Sequence, residues 1–223
     1  MSERCRHPVF ARVFERMASK AEAGQLGRRR AQLLAHASGR VVEVGAGTGE
    51  NFKHYPEAVT SVDAVEPDPS MRRYAHPRVP ASIPLQFSEA RGDALPFGDA
   101  AFDTAVVTLV LCSVDDVDSV LAEVRRVLVP GGRLLLLEHV RGVGRLARWQ
   151  DRLERPWGVI AGGCHPNRAT LDHVERSGFV LDEVERFDFP GHLAIVRPHV
   201  QAVAHTVGVQ DAGAGSGDSS SAR

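Results

Sequence analysis

The sequence has few cysteines, no long apolar run and almost no net charge. Its three cysteines, Cys5, Cys112 and Cys164, lack the paired spacing of a disulfide framework or a zinc-binding knuckle, which favours a reducing compartment and predicts no bound metal. No apolar run reaches the roughly 18 residues that a spanning helix needs, and the first residues lack the apolar core of a signal peptide. A formal net charge of −1 excludes a global electrostatic attraction to nucleic acid.

The composition that remains is typical of one globular domain in the cytoplasm. Of 223 residues, 43% are hydrophobic and 25% are charged. A chain of this length buries roughly 70% of its unfolded surface, so one core is sufficient. Residues 208–223 are almost all small or polar and cannot bury enough apolar surface to order themselves. We therefore expect a folded domain followed by a disordered tail at 208–223.

A glycine-rich turn is the most informative feature that is present. The β-branched run Val41–Val44 breaks into three alternating glycines, Gly45, Gly47 and Gly49. Glycine permits positive φ and close approach of the backbone to a ligand, and a helix predicted over 49–55 would point free N–H groups at that ligand. Glu66 closes a second strand-like run about twenty residues later, where α/β nucleotide sites place an acid on the ribose. The pattern predicts a nucleotide-like cofactor.

The residues of the turn also narrow the class of cofactor. The dinucleotide fingerprint requires a small residue at position 50, where this chain has Glu50. The chain also contains no G-x-x-x-x-G-K-[ST] phosphate-binding loop. The sequence therefore predicts an adenosine-containing ligand without a pyrophosphate.

Alternating strand and helix patterns predict a mostly parallel sheet with helices on both faces. Two N-terminal helical patterns, one carrying Val9, Val13, Phe14 and Met17 and one carrying Leu26, Leu33 and Leu34, precede the first strand. The predicted strands are 40–44, 60–65, near 85–88, 102–109, 133–137, 179–187 and 192–196, and the predicted helices after the first strand are 49–55, 68–75, 117–128 and 167–177. Only 189–191 separates the last two strands, which predicts an antiparallel hairpin.

At this point the chain resembles the class I S-adenosylmethionine (SAM) methyltransferases of the type 11 group. The resemblance rests on Glu43–Gly49, Glu66, Gly92-Asp93-Ala94, Phe102-Asp103 and Pro130-Gly131-Gly132. It implies a three-layer, Rossmann-like sheet of seven strands that ends in an antiparallel hairpin, with SAM as the cofactor. We expect N-terminal helices at 1–38 that cover the active site, and a SAM-binding domain at 39–200 with a lid insertion at about 141–166.

The resemblance also implies which residues bind the cofactor. Glu66 accepts hydrogen bonds from both ribose hydroxyls; the alternative is an acid that only caps the next helix. Asp93 accepts from the adenine amino group and the Ala94 N–H meets a ring nitrogen; the alternative for Asp93 is an ordinary turn residue. Met71 packs on adenine or belongs only to the core. The expected set is Glu43, Gly45, Ala46, Gly47, Asn51, Glu66, Pro67, Met71, Gly92, Asp93, Ala94, Thr108 and Leu109.

A narrower resemblance points to thiol S-methyltransferases of the endoplasmic reticulum and lipid droplets. It is carried by Met17–Lys20, Thr108–Val114, Leu137–Val140, Gly163–His165 and Val196–His199. Those proteins have an N-terminal membrane segment that this sequence lacks, so we expect a soluble, bacterial-type, cytoplasmic relative. The implied reaction is methylation of a small apolar acceptor, with a thiol sulfur as the leading hypothesis. The alternatives are N-methylation of a lipid head group such as phosphatidylethanolamine, C- or O-methylation of a quinone-like ring, and a non-catalytic peripheral membrane protein.

Two histidines are the candidates for activating an acceptor thiol. A free thiol is only a few per cent thiolate at neutral pH, and a nearby base or cation raises that fraction. His139 follows the fifth predicted strand and is the better-placed candidate, and His165 is the second. The alternative for His139 is a local hydrogen bond at the strand end. Cys112 and Cys164 are interpreted as small buried apolar residues.

The segment 141–157 combines arginines with large apolar residues at helical spacing. Arg141, Arg145, Arg148, Arg152 and Arg155 share one predicted face, and Leu146, Trp149, Leu153 and Trp157 form a parallel stripe. Such a helix predicts a substrate lid that also makes peripheral contact with an anionic membrane. The pattern is equally consistent with a solvated face whose arginines pair with Asp151 and Glu154.

Overall fold

A computed structural model describes residues 11–12, 15–16, 22–189 and 193–207. Seven strands form one sheet in the order β3-β2-β1-β4-β5-β7-β6. Strands β1 to β5 are parallel to one another, and β7 is antiparallel to both β5 and β6. The predicted fold class is confirmed. The strands are β1 Gly39–Val44, β2 Val59–Val65, β3 Leu85–Ser88, β4 Phe102–Thr108, β5 Leu128–His139, β6 Phe179–Asp188 and β7 Pro198–Thr206.

Helices cover both faces of the sheet because its central strands are apolar on both sides. Val41 packs in one core with Leu26 and Leu33, whereas Val42 and Leu121 belong to the core on the opposite face. Successive side chains of a strand point to opposite faces, so one β-branched run supplies both cores. The helices are α1 Gln25–Leu34, α2 Pro69–Ala75, α3 Val117–Val127, α4 Gly144–Ile160 and α5 Thr170–Arg176.

The helix predicted over 49–55 is wrong. The chain forms only a short 3-10 turn at Phe52–His54. Tyr55 leaves the helical region with φ −65° and ψ 128°, as expected for a residue that precedes a proline, here Pro56. Gly49 adopts φ +80° on the other side of the turn. The segment between these two residues is too short for an α-helix.

The last strand lies further along the chain than the sequence predicted. β7 runs from Pro198 to Thr206, and the predicted 192–196 segment contains instead a 3-10 turn at Ala194–Val196. β7 is inserted between β5 and β6, so both of its faces are covered: Val200, Ala202 and Ala204 pack in one core, and Val203 packs in the core on the opposite face. The predicted antiparallel pairing is confirmed, but the sheet extends past residue 200.

Several expectations concern residues outside the described ranges. These are the first N-terminal helix pattern, with its four apolar residues, the 17–20 motif, the turn at 190–191 and the tail at 208–223. Within the described residues, no helix has the length and apolar character required to cross a membrane.

Candidate active site

The predicted cofactor residues collect at the carboxyl edge of the parallel strands. The glycine turn follows β1, Glu66 follows β2, Thr108 ends β4 and His139 ends β5. Ligands of open α/β sheets bind at this edge because the loops that leave neighbouring strands form a crevice there.

The glycine turn is anchored to β2 and leaves open space beside one glycine. The N–H groups of Gly45 and Ala46 both donate to Val65 O, at 2.8 and 3.1 Å. A side chain at Gly45, where φ is +70°, would collide with Val110 Cγ2 at 2.5 Å. At Gly47, where φ is +54°, a Cβ would meet only Gly45 O at 3.9 Å. The outer surface of Gly47 therefore has room for a ligand to approach the backbone.

Glu66 is positioned by two backbone N–H groups. Its Oε2 accepts from Gly47 N at 2.9 Å and its Oε1 accepts from Asp68 N at 2.8 Å. Pro67, which follows Glu66 in the chain, is half-buried. Burial raises the pKa of Glu66, although these hydrogen bonds oppose the shift. Each carboxylate oxygen retains a further lone pair, so the geometry permits two additional donors such as ribose hydroxyls.

A buried polar network joins the glycine turn to the end of β4. Asn51 donates to Glu43 Oε1 at 2.9 Å and to Thr108 Oγ1 at 3.0 Å. Arg30 of α1 donates from Nη1 to Asn51 Oδ1 at 2.6 Å and to Thr108 Oγ1 at 2.8 Å. Leu109, which follows Thr108, has a left-handed φ of +59°. Such strain in a non-glycine residue often accompanies a functional site.

Burial raises the pKa of Glu43 to about 7, although hydrogen bonds from Tyr55 and Asn51 oppose the shift. Between the ordinary value of 4.5 and about 7, the folded protein retains a proton at Glu43 that the unfolded chain has released. This group therefore decreases the free energy of unfolding as the pH rises through that window.

We expect Glu43→Gln to remove this pH dependence. Relative to the variant, the wild-type protein should lose stability from pH 4.5 to 7 with a slope approaching about 1.4 kcal/mol per pH unit. Urea titrations at several pH values measure the difference, with the exposed Glu57→Gln as control. Parallel stability curves for wild type and Glu43→Gln would contradict the assignment.

Arg30 is a member of this buried network that the sequence analysis missed. It is 6% exposed, and its Nε lies 3.3 Å from Glu22 Oε2. Burial lowers its pKa, while the nearby carboxylates oppose the shift. The helical spacing could have predicted that Arg30 is buried, because it lies four residues after Leu26 and three before Leu33, on the apolar face of α1.

We expect Arg30→Gln to weaken SAM binding by about tenfold, or roughly 1.4 kcal/mol. The substitution removes a buried positive charge beside Asn51 and Thr108. Thr108 and Leu109 lie at the carboxyl end of β4, where we expect the methionine portion of the cofactor. Isothermal titration measures the change, and Arg28→Gln, on the exposed side of the same helix, is the control. Equal affinity in the two variants would place Arg30 outside the site.

The expected adenine residues lie in the turn after β3 and on α2. Asp93 forms an ion pair with Arg91 at 2.8 Å, which lowers the pKa of Asp93, and Ala94 N donates to Arg91 O at 3.1 Å. At Gly92 a Cβ would meet Val44 Cγ1 at 2.8 Å, so a side chain there would push the turn away from β1. Met71 is 8% exposed on α2. Their contacts with adenine remain predictions.

His139 lies in a cluster with two cysteines. Its Nε2 is 3.0 Å from Cys164 Sγ, to which Trp157 Nε1 donates at 3.1 Å. His139 Nδ1 is buried and has no hydrogen-bond partner among the described residues. The Cys112 thiol completes the cluster; its hydrogen bond to Cys164 raises the pKa of Cys112 and lowers that of Cys164. The two cysteines are buried as expected, but their contacts are polar.

The Cys112 loop is held in place from both sides. The fully buried Glu138 carboxylate accepts from Val110 N at 2.7 Å, Leu111 N at 2.9 Å and Cys112 N at 3.4 Å. His165 N donates to Cys112 O at 2.6 Å. The His165 side chain turns elsewhere, to Glu154 Oε1 at 2.8 Å, which lowers the pKa of Glu154. The structure therefore places His139 in the cluster, whereas the His165 imidazole forms a hydrogen bond with Glu154 of α4.

Comparisons with known proteins agree with this architecture. A family model described as a methyltransferase domain matches residues 42–136. Human thiol S-methyltransferase TMT1A is 34% identical over 181 residues, which cover 78% of this chain and 74% of that protein. The demethylmenaquinone methyltransferase of Deinococcus radiodurans is 37% identical over 111 residues, covering 48% of this chain and 46% of its own.

A solved structure from Thermotoga maritima, a SAM-dependent methyltransferase described as a possible histamine N-methyltransferase, superposes with a TM-score of 0.66. It is 22% identical and covers 89% of this chain and 97% of its own, which supports the shared fold. SAM is therefore the cofactor of this methyltransferase fold, with its glycine turn after β1. Sequence identity over most of both chains shows that this chain belongs to the class I SAM-dependent methyltransferases, within the group that includes the thiol S-methyltransferases.

Proposed function

We propose that this methyltransferase transfers the SAM methyl group to the sulfur of a small apolar thiol. The observation that carries the proposal is the buried His139 imidazole, which lies beside two thiols at the carboxyl edge of the sheet. The similarity to human thiol S-methyltransferase TMT1A supports the same acceptor class. Membership of an enzyme family argues against a purely membrane-binding, non-catalytic protein.

The residues of the carboxyl edge fit a bound SAM molecule. We propose that Glu66 holds the ribose hydroxyls, that Gly47 supplies the close backbone approach, and that Arg30 with Asn51 and Thr108 binds the methionine end. SAM supplies a methyl group already activated on a sulfonium. The protein must then align the acceptor sulfur with that methyl group, exclude water and promote loss of the thiol proton.

A panel of acceptors with radiolabelled SAM tests this function. We expect methylation of alkyl and aryl thiols, and little transfer to matched alcohols, amines or phosphatidylethanolamine. The control is the Glu66→Ala variant, which should label every acceptor at least about tenfold more slowly at subsaturating SAM. Labelling of an amine or a lipid head group, with none of the thiols, would contradict the proposal.

Ring methylation of a quinone-like acceptor is the second candidate. It is favoured by the similarity to a demethylmenaquinone methyltransferase over about half of the chain. The same panel includes a reduced naphthoquinone, and mass spectrometry of the product distinguishes C- from O-methylation. A quinol preferred over every thiol by tenfold or more in kcat/KM would make this the main function.

We also propose that α4 contacts anionic lipid. Trp149 is 54% exposed and shares a surface with Arg145, Arg148 and Arg152, while Val159 and Ile160, at the helix end, are 86% and 75% exposed. Arg141 pairs with Asp151, so part of the predicted arginine face is satisfied by ion pairs. The buried side of α4 is formed by Ala147 and Gln150, and not by the apolar stripe that the sequence predicted. Gln150 can be buried there because its side-chain amide donates to Ile195 O at 2.9 Å.

Vesicle flotation should show binding to phosphatidylglycerol vesicles and much weaker binding to phosphatidylcholine vesicles. The combined R145Q/R148Q/R152Q substitution should weaken anionic binding by about tenfold or more, because each arginine near such a surface contributes about 1 kcal/mol before screening by salt. The matched control, R73Q/R125Q/R186Q, removes three exposed arginines elsewhere and leaves the same net charge. Equal losses in the two triple variants would indicate only a net-charge effect.

A further inference from the structure

Cys112, His139 and Cys164 bring three soft ligand atoms together in the interior. The two Sγ atoms and one imidazole nitrogen all lie within 4.8 Å of one another, and all three residues are buried. They come from the loop after β4, the last residue of β5 and the turn after α4. Spacing along the sequence did not reveal the group, because each ligand comes from a different segment.

We propose that Cys112, His139 and Cys164 bind a soft divalent cation of the Zn²⁺ class, and that the acceptor thiol occupies its remaining position; the second clause rests on the proposed thiol S-methylation. Zinc has bonds of about 2.3 Å to sulfur and about 2.0–2.1 Å to nitrogen in tetrahedral sites, which separates ligand atoms by roughly 3.5–3.8 Å. The pairs here lie on either side of that spacing or close to it, with 3.0 Å between His139 Nε2 and Cys164 Sγ and no pair beyond 4.8 Å, so shifts of about 1 Å or less would fit the cation.

The surroundings hold these ligands in place. Trp157 Nε1 donates to Cys164 Sγ, and the Glu138 carboxylate fixes the backbone of the Cys112 loop. Such contacts around a metal site orient the ligands and are part of its affinity. The buried Glu138 carboxylate also lies beside Cys112, where a divalent cation would favour its charged form.

The number of ligands indicates an exchangeable position. No fourth cysteine, histidine or carboxylate joins the group within the part of the chain that the structure describes. Structural zinc sites are usually closed by four protein ligands, whereas catalytic sites have three and leave one position for water or substrate. An open position on a thiophilic cation fits a thiol better than an alcohol or an amine.

The site also lies at the reacting edge of the sheet. Leu137 is the register partner of Thr108, and His139 is two residues further along β5, a rise of about 7 Å. The acceptor thiol loses its proton to solvent as it binds the cation. Its sulfur then forms the new bond to the methyl carbon, and the sulfonium–methyl bond breaks with its electron pair going to the departing sulfur, giving a methyl thioether and S-adenosylhomocysteine.

Metal analysis tests the site without reference to turnover. Protein purified with a phosphine reductant and without chelator should contain about one zinc per chain. Cys164→Ser and His139→Gln should each lower the content by about tenfold, and Cys5→Ser, the remaining cysteine, should not. Full metal content in both ligand variants, or none in the wild type after incubation with Zn²⁺, would overturn the proposal.

Two measurements on the wild-type protein test the metal site even if a ligand variant fails to fold. Removing zinc with a chelator should expose two additional thiols to a thiol reagent, and Co²⁺ should restore protection with a sulfur-to-cobalt charge-transfer band. Mass spectrometry that finds a Cys112–Cys164 disulfide in the reduced, metal-supplemented protein would overturn the proposal. An acceptor thiol should shift the absorption spectrum of the cobalt-loaded protein. If thiols leave this spectrum unchanged and the protein methylates another class of acceptor, the proposed thiol function is wrong, whereas the proposed metal site still stands.

Discussion

Replacement of Glu66 by Ala is expected to weaken SAM binding by roughly 1.5–3 kcal/mol, or about 10- to 150-fold, because it removes charged hydrogen bonds to the ribose. The structure adds a second cause. Gly47 N and Asp68 N lose the carboxylate that accepts from both of them, so the glycine turn also loses an anchor. Isothermal titration with SAM measures the affinity, and thermal melting without SAM measures the effect on the fold.

Two comparisons separate ribose binding from support of the turn. Glu57→Ala removes an exposed acid and should leave the affinity unchanged. Asp93→Ala should have a smaller effect than Glu66→Ala, because Asp93 is more exposed and already pairs with Arg91. Wild-type affinity together with a wild-type melting temperature in Glu66→Ala would place the cofactor elsewhere. A lower melting temperature with unchanged affinity would assign Glu66 to the turn alone.

Replacement of His139 by Ala is expected to lower turnover of a thiol acceptor by roughly 10²-fold or more, with SAM affinity unchanged. His139 is 7% exposed at the end of β5, contacts Cys164 and is not one of the residues expected to bind SAM. Loss of the imidazole would remove either the base that accepts the thiol proton or a ligand of the proposed cation. Single-turnover kinetics at saturating SAM measures the effect, with His36→Ala, before the amino end of β1, as control.

The pH dependence of the same variant identifies what has been lost. Without help from the protein, only the thiolate form of the acceptor reacts, so the rate in His139→Ala should rise about tenfold per pH unit up to the thiol pKa near 8.5. The wild-type rate should rise less steeply over this range, because the protein promotes loss of the proton. Superimposable pH profiles and similar turnover would remove His139 from the mechanism and leave proximity to the sulfonium as the source of catalysis.

Local patterns were sufficient for most of the framework. The β-branched run before Gly45 predicted β1, and the capping Asp68 and Asp116 begin α2 and α3 where the apolar periodicity predicted them. The lack of room for a crossover helix after β6 predicted the antiparallel pairing, although β7 begins later than expected, at Pro198. These signals are reliable because neighbouring residues fix the backbone directly, through β-branching, glycine torsions and caps.

Two local predictions were wrong where a distant contact or a single residue overruled the pattern. Pro56 and the torsion of Gly49 reduce the expected helix after the turn to Phe52–His54. The apolar segment after Phe189 resembled a strand, but the position between β5 and β6 is taken by Pro198–Thr206. The apolar pattern of Pro198–Thr206 identifies it as the last strand only when β5 and β6 are known to lie on either side of it.

The sequence by itself determined the class of sheet, the glycine turn with its acid, and the kind of cofactor, because each is encoded by residues close together in the chain. Only the tertiary structure decided that Arg30 enters the polar network of Asn51 and Thr108. It alone brought the thiols of Cys112 and Cys164 to His139. Contacts of this kind depend on how helices and loops pack over the strand ends, and no spacing within the sequence records that packing.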